Sequence, residues 1–412
     1  MTDTQIVMIE KLVYGGEGLA HLADGRAAFV PFVLPGESVR IAITEEKPRF
    51  VRALPKKVMA PSPLRIAPRC PHFGMCGGCH YQHIPYQMQL EAKLDVLRDQ
   101  LERIGHIKTP PLSEIIASEY AWNYRNHVQF HPVEDGTLGF KDITGAAILP
   151  IRECHLPQAE INAIWPQIAL EPGANIKRLS LRQDSFGEVM LLFEGEDQTP
   201  PELSLDLPVS ACYLNALGET FNLAGEDALI YQIKERTLRV SPESFFQVNN
   251  SQAERMIDTL LENLPLDGKE LEILELYSGV GLFSAFLAPH ARQLTAVESS
   301  TSACYDFAIN LDAFNNVSLY EAPVGQVFGG LEIKPDLVVL DPPRAGLDKF
   351  AREQLLKLES PHVIYISCDP ATLSRDLRCF LEAGYKLDKI QAFDLFPQTY
   401  HVESISILSK KH

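Results

Sequence analysis

The stretch Ile273–Leu287, ILELYSGVGLFSAFL, decides how the C-terminal half folds. An apolar strand runs into glycines at 279 and 281, and a second apolar run long enough for a helix follows. Glycines at a strand-to-helix turn let the backbone approach a ligand, and the helix start offers free N–H groups. Glu298 closes the next apolar run, LTAVE, about twenty residues further on. A carboxylate there can accept hydrogen bonds from the ribose hydroxyls of a nucleotide-like cofactor. Gly279, Gly281 and Glu298 therefore mark an adenosine-type site. The same residues would serve NAD, but the third glycine of the dinucleotide fingerprint is missing, which leans away from it. A glycine turn of purely structural use is the remaining reading.

Working outward, strands and helices alternate from Ser251 onward, which implies an open, largely parallel sheet with helices on both faces. DLVVLDPPRAG ends a strand at Asp341. Two prolines stiffen the loop and hold that carboxylate at the ligand-binding edge, unless they simply end a strand. HVIYISCDPATLSRDL brings Cys368 to the same edge, beside Asp369-Pro370 and a helix start capped by Thr372 or Asp369. A thiol near a helix N-terminus can have a lowered pKa, and a thiolate is a nucleophile. Glu403 opens the last strand, where a carboxylate is either a base or an exposed strand residue. Before this domain, Phe245-Phe246-Gln247-Val248-Asn249 offers amides for a base or a cofactor, or else core phenylalanines and a helix cap.

The N-terminal half reads differently. Residues 1–58 alternate short apolar runs with glycine and proline turns, a small β-barrel. A proline-rich linker leads to Cys70, Cys76 and Cys79, with Cys154 further on; these are four of eight cysteines. In a reducing compartment such bunching suggests a metal or cluster, and spacing alone does not separate zinc from iron–sulfur. Tyr86–Ile104 sets leucines at helical intervals, a packing helix ending at Gly105. Residues from about 115 to 239 read as antiparallel strands. A chain of 412 residues exceeds one hydrophobic core, so several domains are expected. The net charge of −17 argues against nucleic-acid binding by the whole surface, yet seven basic and no acidic residues lie between Lys47 and Arg69. No membrane-length apolar run and no signal-like start occur, so the expected location is cytoplasmic.

Taken together, DPPR, SCDPATLSRD, FPQTYHVE and FFQVN resemble the RNA uracil-5-methyltransferase family, and the cysteine pattern resembles its iron–sulfur, ribosomal-RNA branch. The resemblance implies a multidomain α/β protein: an N-terminal OB-like TRAM β-barrel (1–58), a central β-rich iron–sulfur domain (59–240, with helix 86–104 packing on the catalytic part), and a C-terminal Rossmann-like class I methyltransferase domain (241–412). It implies transfer of a methyl group from S-adenosylmethionine to C5 of a uridine, with Cys368 as the covalent nucleophile and Glu403 as the base that removes the C5 proton. Gln247, Tyr277, Gly279, Gly281, Glu298 and Asp341 fall to cofactor binding, and Cys70, Cys76, Cys79 and Cys154 to a 4Fe-4S cluster. The family often has polar residues where Leu282 and Pro323 stand here. Ribosomal RNA is the favoured partner over transfer RNA, with no membrane and no obligate protein partner implied. A non-catalytic iron–sulfur RNA-binding protein and an NAD oxidoreductase with a cluster are the other classes weighed.

Overall fold

The computed structural model describes residues 4–202, 204, 206–266, 268–330 and 333–410. Strands from Thr4–Met8 to Phe50–Ala60 form one six-stranded sheet. Alternate side chains of Glu17–His21 and Ala27–Pro31 are buried, as period-2 patterning requires. They meet in a core that includes Val7, Ala20, Val30, Val39 and Val51. The last strand continues to Ala60, past residue 58.

A second, seven-stranded sheet spans His127–Pro132 to Thr220–Ala224. It is antiparallel except where Val189–Gly195 lies parallel to Ser210–Leu214. The hairpin Leu229–Ile233 and Arg236–Val240 packs elsewhere. Leu229, Tyr231 and Val240 join the same apolar cluster as Ile273, Leu294 and Ile364 of the C-terminal sheet. Asn310 fastens it there, accepting from the Arg239 N–H at 2.7 Å and donating to its carbonyl at 2.9 Å. Met190, Leu192 and Cys212 of the central sheet belong to that cluster too, so the hairpin sits where the two sheets meet.

The C-terminal sheet has strands β1 (Leu271–Leu276), β2 (Ala291–Glu298), β3 (Val317–Glu321), β4 (Leu337–Leu340), β5 (His362–Ser367), β6 (Tyr385–Phe393) and β7 (Glu403–Lys410). Their spatial order is β3-β2-β1-β4-β5-β7-β6. β1 to β5 are parallel, and β7 is antiparallel to β5 and β6. The order reverses between β1 and β4, the crevice where open α/β sheets bind ligands. The continuous burial of Leu337–Leu340 reflects coverage on both faces.

Two pieces of the N-terminal half complete this domain. Helix α1 (Tyr86–Arg103) packs against α2 (Pro370–Glu382), burying Leu97 and Leu101 with Leu373 and Leu377. Residues 112–116 run beside β6, where the Ser113 and Ile116 N–H groups donate to Ile390 and Ala392 carbonyls at 2.9 Å. Among the described residues no helix is long and apolar enough to cross a membrane.

Candidate active site and cysteine-lined cavity

The register of β5 on β7 brings together the two residues at the centre of the sequence argument. Ser367 pairs with Ser404, so Cys368 and Glu403 stand opposite each other one step beyond the last pair. Asp341 follows β4, which lies on the other side of β5, and its N–H reaches the Leu276 carbonyl at 3.3 Å. Cys368 is half-buried, while Glu403 is 6% exposed.

This environment overrides the helix-end effect expected for the thiol. Burial pushes Cys368 up to about 12, Glu403, Asp341 and Asp369 add to the rise, and Arg344 opposes it. Burial, with Asp341 adding and Arg344 opposing, also holds the Glu403 carboxyl well above its ordinary value. Burial lifts Asp341 to about 7. Desolvation thus disfavours the charged forms of Cys368, Glu403 and Asp341. Asp369 is the cap of α2, accepting from the Ala371 and Thr372 N–H groups at 3.1 and 2.8 Å.

The cofactor-type residues gather across the crevice. Tyr277 ends β1 with φ +63, a left-handed conformation rare outside glycine, and its N–H donates to the Val297 carbonyl at 2.9 Å. Gly281 has φ +89 and lies where a Cβ would meet Leu311 at 2.5 Å, whereas a Cβ on Gly279 would enter open space. Glu298 accepts from the N–H groups of Gly279 (2.9 Å), Ser299 (2.6 Å) and Ser300 (2.8 Å). The two serine N–H groups share Oε1 while Gly279 alone takes Oε2, so Oε2 keeps an acceptor position for a ribose hydroxyl. Leu282 is buried in the core and Pro323 is an exposed helix-start residue.

FFQVN shows the core-and-cap reading. Phe246 stacks on Tyr231 at 4.3 Å and Asn249 caps the helix Asn250–Glu262, while Phe245 is 68% exposed. Gln247 is buried, and Asn126 donates to its backbone carbonyl at 2.9 Å.

A cavity of about 1420 Å³ is lined by neither Cys368 nor Glu403. It opens between the barrel, the cysteine loop and the central sheet, and reaches Thr399–His401 just before Glu403. Cys70, Cys76, Cys79 and Cys154 all line it, and none is in a disulfide. The Gly78 N–H points at the Cys76 sulfur at 3.4 Å, and Gly77 is pressed onto the Lys141 and Asp142 carbonyls. Burial raises all four thiols, Cys79 to about 12 and Cys154 to about 11. Among the described residues no three His, Cys, Asp or Glu side chains are close enough to hold a single metal ion. The donor set is thus four thiols spread around one cavity. Chemically it suits a thiolate-ligated cluster.

The basic strip is less free than its sequence implies. Arg52 grips Glu17, Arg65 grips the fully buried Glu37, Lys47 meets Glu45, and Arg69 lies over Trp122 at 5.4 Å. Lys93 escaped the sequence argument. It is fully buried on α1, donating to Asp394 at 2.5 Å and to the Phe396 carbonyl at 2.9 Å, beneath the loop that leads to Glu403. Its signal was a lysine between Leu90 and Leu97 on an otherwise apolar stripe.

Comparison with known proteins agrees with this geometry. Residues 3–55 match the TRAM domain, and 223–322 with 332–411 match the family described as tRNA (Uracil-5-)-methyltransferase. The chain is 34% identical to an RNA methyltransferase of Aquifex aeolicus over 98% of each chain. It is 30% identical to the 23S rRNA (uracil(1939)-C(5))-methyltransferase RlmD of Vibrio parahaemolyticus, over 99% of this chain and 97% of that one. The structure is similar, with a TM-score of 0.75 and 25% identity, to the tRNA (uracil-54, C5)-methyltransferase of Pyrococcus abyssi in complex with S-adenosyl-L-homocysteine, covering 98% and 100% of the two chains. The family match and these full-length relatives lead to one conclusion: the chain belongs to the RNA (uracil-5-)-methyltransferase family.

Proposed function

We propose that the protein methylates C5 of a uridine in ribosomal RNA through a covalent Cys368–C6 adduct. The observation that carries this reading is the placement of Cys368 opposite Glu403 across β5 and β7, with Asp341 on the neighbouring strand. The target base has to leave its stack to reach that edge. With its proton released to solvent, the Cys368 sulfur would add to C6, and the displaced C5–C6 electron pair would make C5 an enolate-like nucleophile. Tyr277, Gly279, Gly281 and Glu298 would hold S-adenosylmethionine, with Gln247 and Asp341 lining the shared pocket, and its methyl group would pass to C5 as S-adenosylhomocysteine leaves. Glu403 in its ionised form then takes the C5 proton. The electron pair of that C–H bond restores the C5–C6 double bond and expels the Cys368 thiolate.

Cys70, Cys76, Cys79 and Cys154 would hold a 4Fe-4S cluster, whose service here is to pin the cysteine loop against the central sheet. The full-length similarity to RlmD supports ribosomal RNA. Similarity to the Pyrococcus abyssi enzyme supports a transfer-RNA substrate as the second reading.

The test is to incubate anaerobically purified protein with labelled S-adenosylmethionine and separate unmodified ribosomal and transfer RNAs, then identify the methylated nucleoside. 5-Methyluridine in ribosomal RNA alone supports the whole proposal, and its appearance only in transfer RNA replaces the substrate. Cys368→Ala should abolish both methylation and adduct, and Glu403→Gln should accumulate a methylated, RNA-linked protein. An adduct that persists in Cys368→Ala overturns the assignment.

A further inference from the structure

The hairpin turn Val13–Glu17 of the N-terminal barrel reaches the active-site edge. Gly15 and Gly16 turn it with φ +98 and +79, and a Cβ on Gly16 would meet the Tyr400 ring at 3.1 Å and His80 at 3.2 Å. That close approach places Tyr14 edge-on against Tyr400, with ring centroids 5.8 Å apart. The Tyr14 hydroxyl donates to the Asp369 carboxylate oxygen left over from capping α2. Asp369 is the residue after Cys368. We infer that Tyr14 is a positioning residue for the nucleophile: its hydrogen bond to Asp369 fixes the start of α2 beside Cys368, so the RNA-binding type of barrel and the reactive thiol are aligned by one contact.

This inference rests on the role proposed for Cys368. Two kinds of observation support it independently of that role. The glycine turn leaves no space between the barrel and Tyr400, so Tyr14 is held in register with the active-site loop. Asp369 is also fixed on its other side, where Ser367 donates to its carbonyl at 3.2 Å and Thr372 to its carboxylate at 3.0 Å. Cys368 is faced by Glu403, Asp341 and Asp369, all opposing the thiolate, and by Arg344, which favours it. A donor on Asp369 draws its negative charge away from the sulfur, and loss of the donor returns that charge.

The experiment compares wild type, Tyr14→Phe, Asp369→Asn and the double variant. Each is given substrate RNA carrying 5-fluorouridine at the target, whose C5 fluorine cannot leave as a proton and so traps the adduct. At saturating RNA and S-adenosylmethionine, Tyr14→Phe should form adduct about tenfold more slowly, the scale of a lost hydrogen bond to a carboxylate. Its rate should rise with pH along a limb displaced to higher pH, with RNA affinity unchanged. In Asp369→Asn the same substitution should have little further effect. Equal rates and limbs for wild type and Tyr14→Phe overturn the inference, as does a loss of RNA affinity with no change at saturation. If wild type itself forms no Cys368-dependent adduct, the proposed function fails instead.

Discussion

Replacing Lys93 by methionine tests whether α1 is part of the catalytic machinery or a passive cover. Lys93 and Asp394 are both fully buried, so their charges exist only because each compensates the other. Removing one partner strands the second in a desolvated site, which costs about 3–5 kcal/mol. For a cooperative unit of 150–250 residues that corresponds to a melting temperature lower by about 6–20 °C. The double replacement Lys93→Met with Asp394→Leu removes both charges and should recover most of the loss, because apolar pairs of similar volume often match a buried ion pair. Calorimetry of the four proteins gives the coupling directly. Methylation adds a second readout. Lys93 also holds the Phe396 carbonyl in the loop before Glu403, so the double variant should regain stability yet still turn over more slowly. A Lys93→Met protein within about 1 kcal/mol of wild type, or strictly additive variants, would refute the argument, since a buried pair must be strongly coupled.

Glu403→Gln should be more stable than wild type at neutral and alkaline pH. The folded carboxyl is raised above its ordinary value of 4.5, so the stability it contributes is full below that value and is lost as pH rises toward the folded pKa. Denaturation across pH should show the gap growing by about 1.4 kcal/mol per unit over that window, and a constant gap would contradict the burial argument. Gly281→Ala should destabilise by about 1–3 kcal/mol through its clash with Leu311. Gly279→Ala meets no neighbour but places alanine at φ +55, so it should cost about 1–2 kcal/mol in backbone strain and bind S-adenosylmethionine less tightly, which thermal denaturation and calorimetric titration check. Cys79→Ser should lower bound iron and acid-labile sulfide after anaerobic reconstitution, and an unchanged iron content would remove Cys79 from the ligand set.

Short segments with strong local chemistry were legible from the sequence. The glycine turn, the strand ending at Asp341 and the Asp369 cap are each written within a dozen or so neighbouring residues. What was illegible depends on contacts between distant residues. No spacing states that Ser367 pairs with Ser404, which is what sets Cys368 opposite Glu403. The thiol illustrates the limit best. Local sequence put Cys368 at a helix start, where its pKa can fall, but burial, and then carboxylates from two other strands, drive it up. The hairpin 229–240 looked continuous with the strands before it, and only the structure shows it sharing an apolar cluster with both sheets and held by Asn310. Tyr14 sat in a turn that read as barrel punctuation.

That α1 is joined to the C-terminal domain has a consequence for how the chain is made. Lys93 and Asp394 are 301 residues apart in sequence. At about 5–20 residues per second, ribosomal synthesis separates their emergence by about 15–60 s. During that interval the nascent polypeptide carries an amphipathic helix whose apolar face, Leu97 and Leu101, has no surface to close on. Autonomous barrel folding can proceed meanwhile, but the catalytic sheet can acquire its cover only post-translationally or in the last moments of elongation. A fragment beginning at residue 241 would lack α1 and the 112–116 edge segment altogether, so limited proteolysis should release the barrel more readily than an intact C-terminal half.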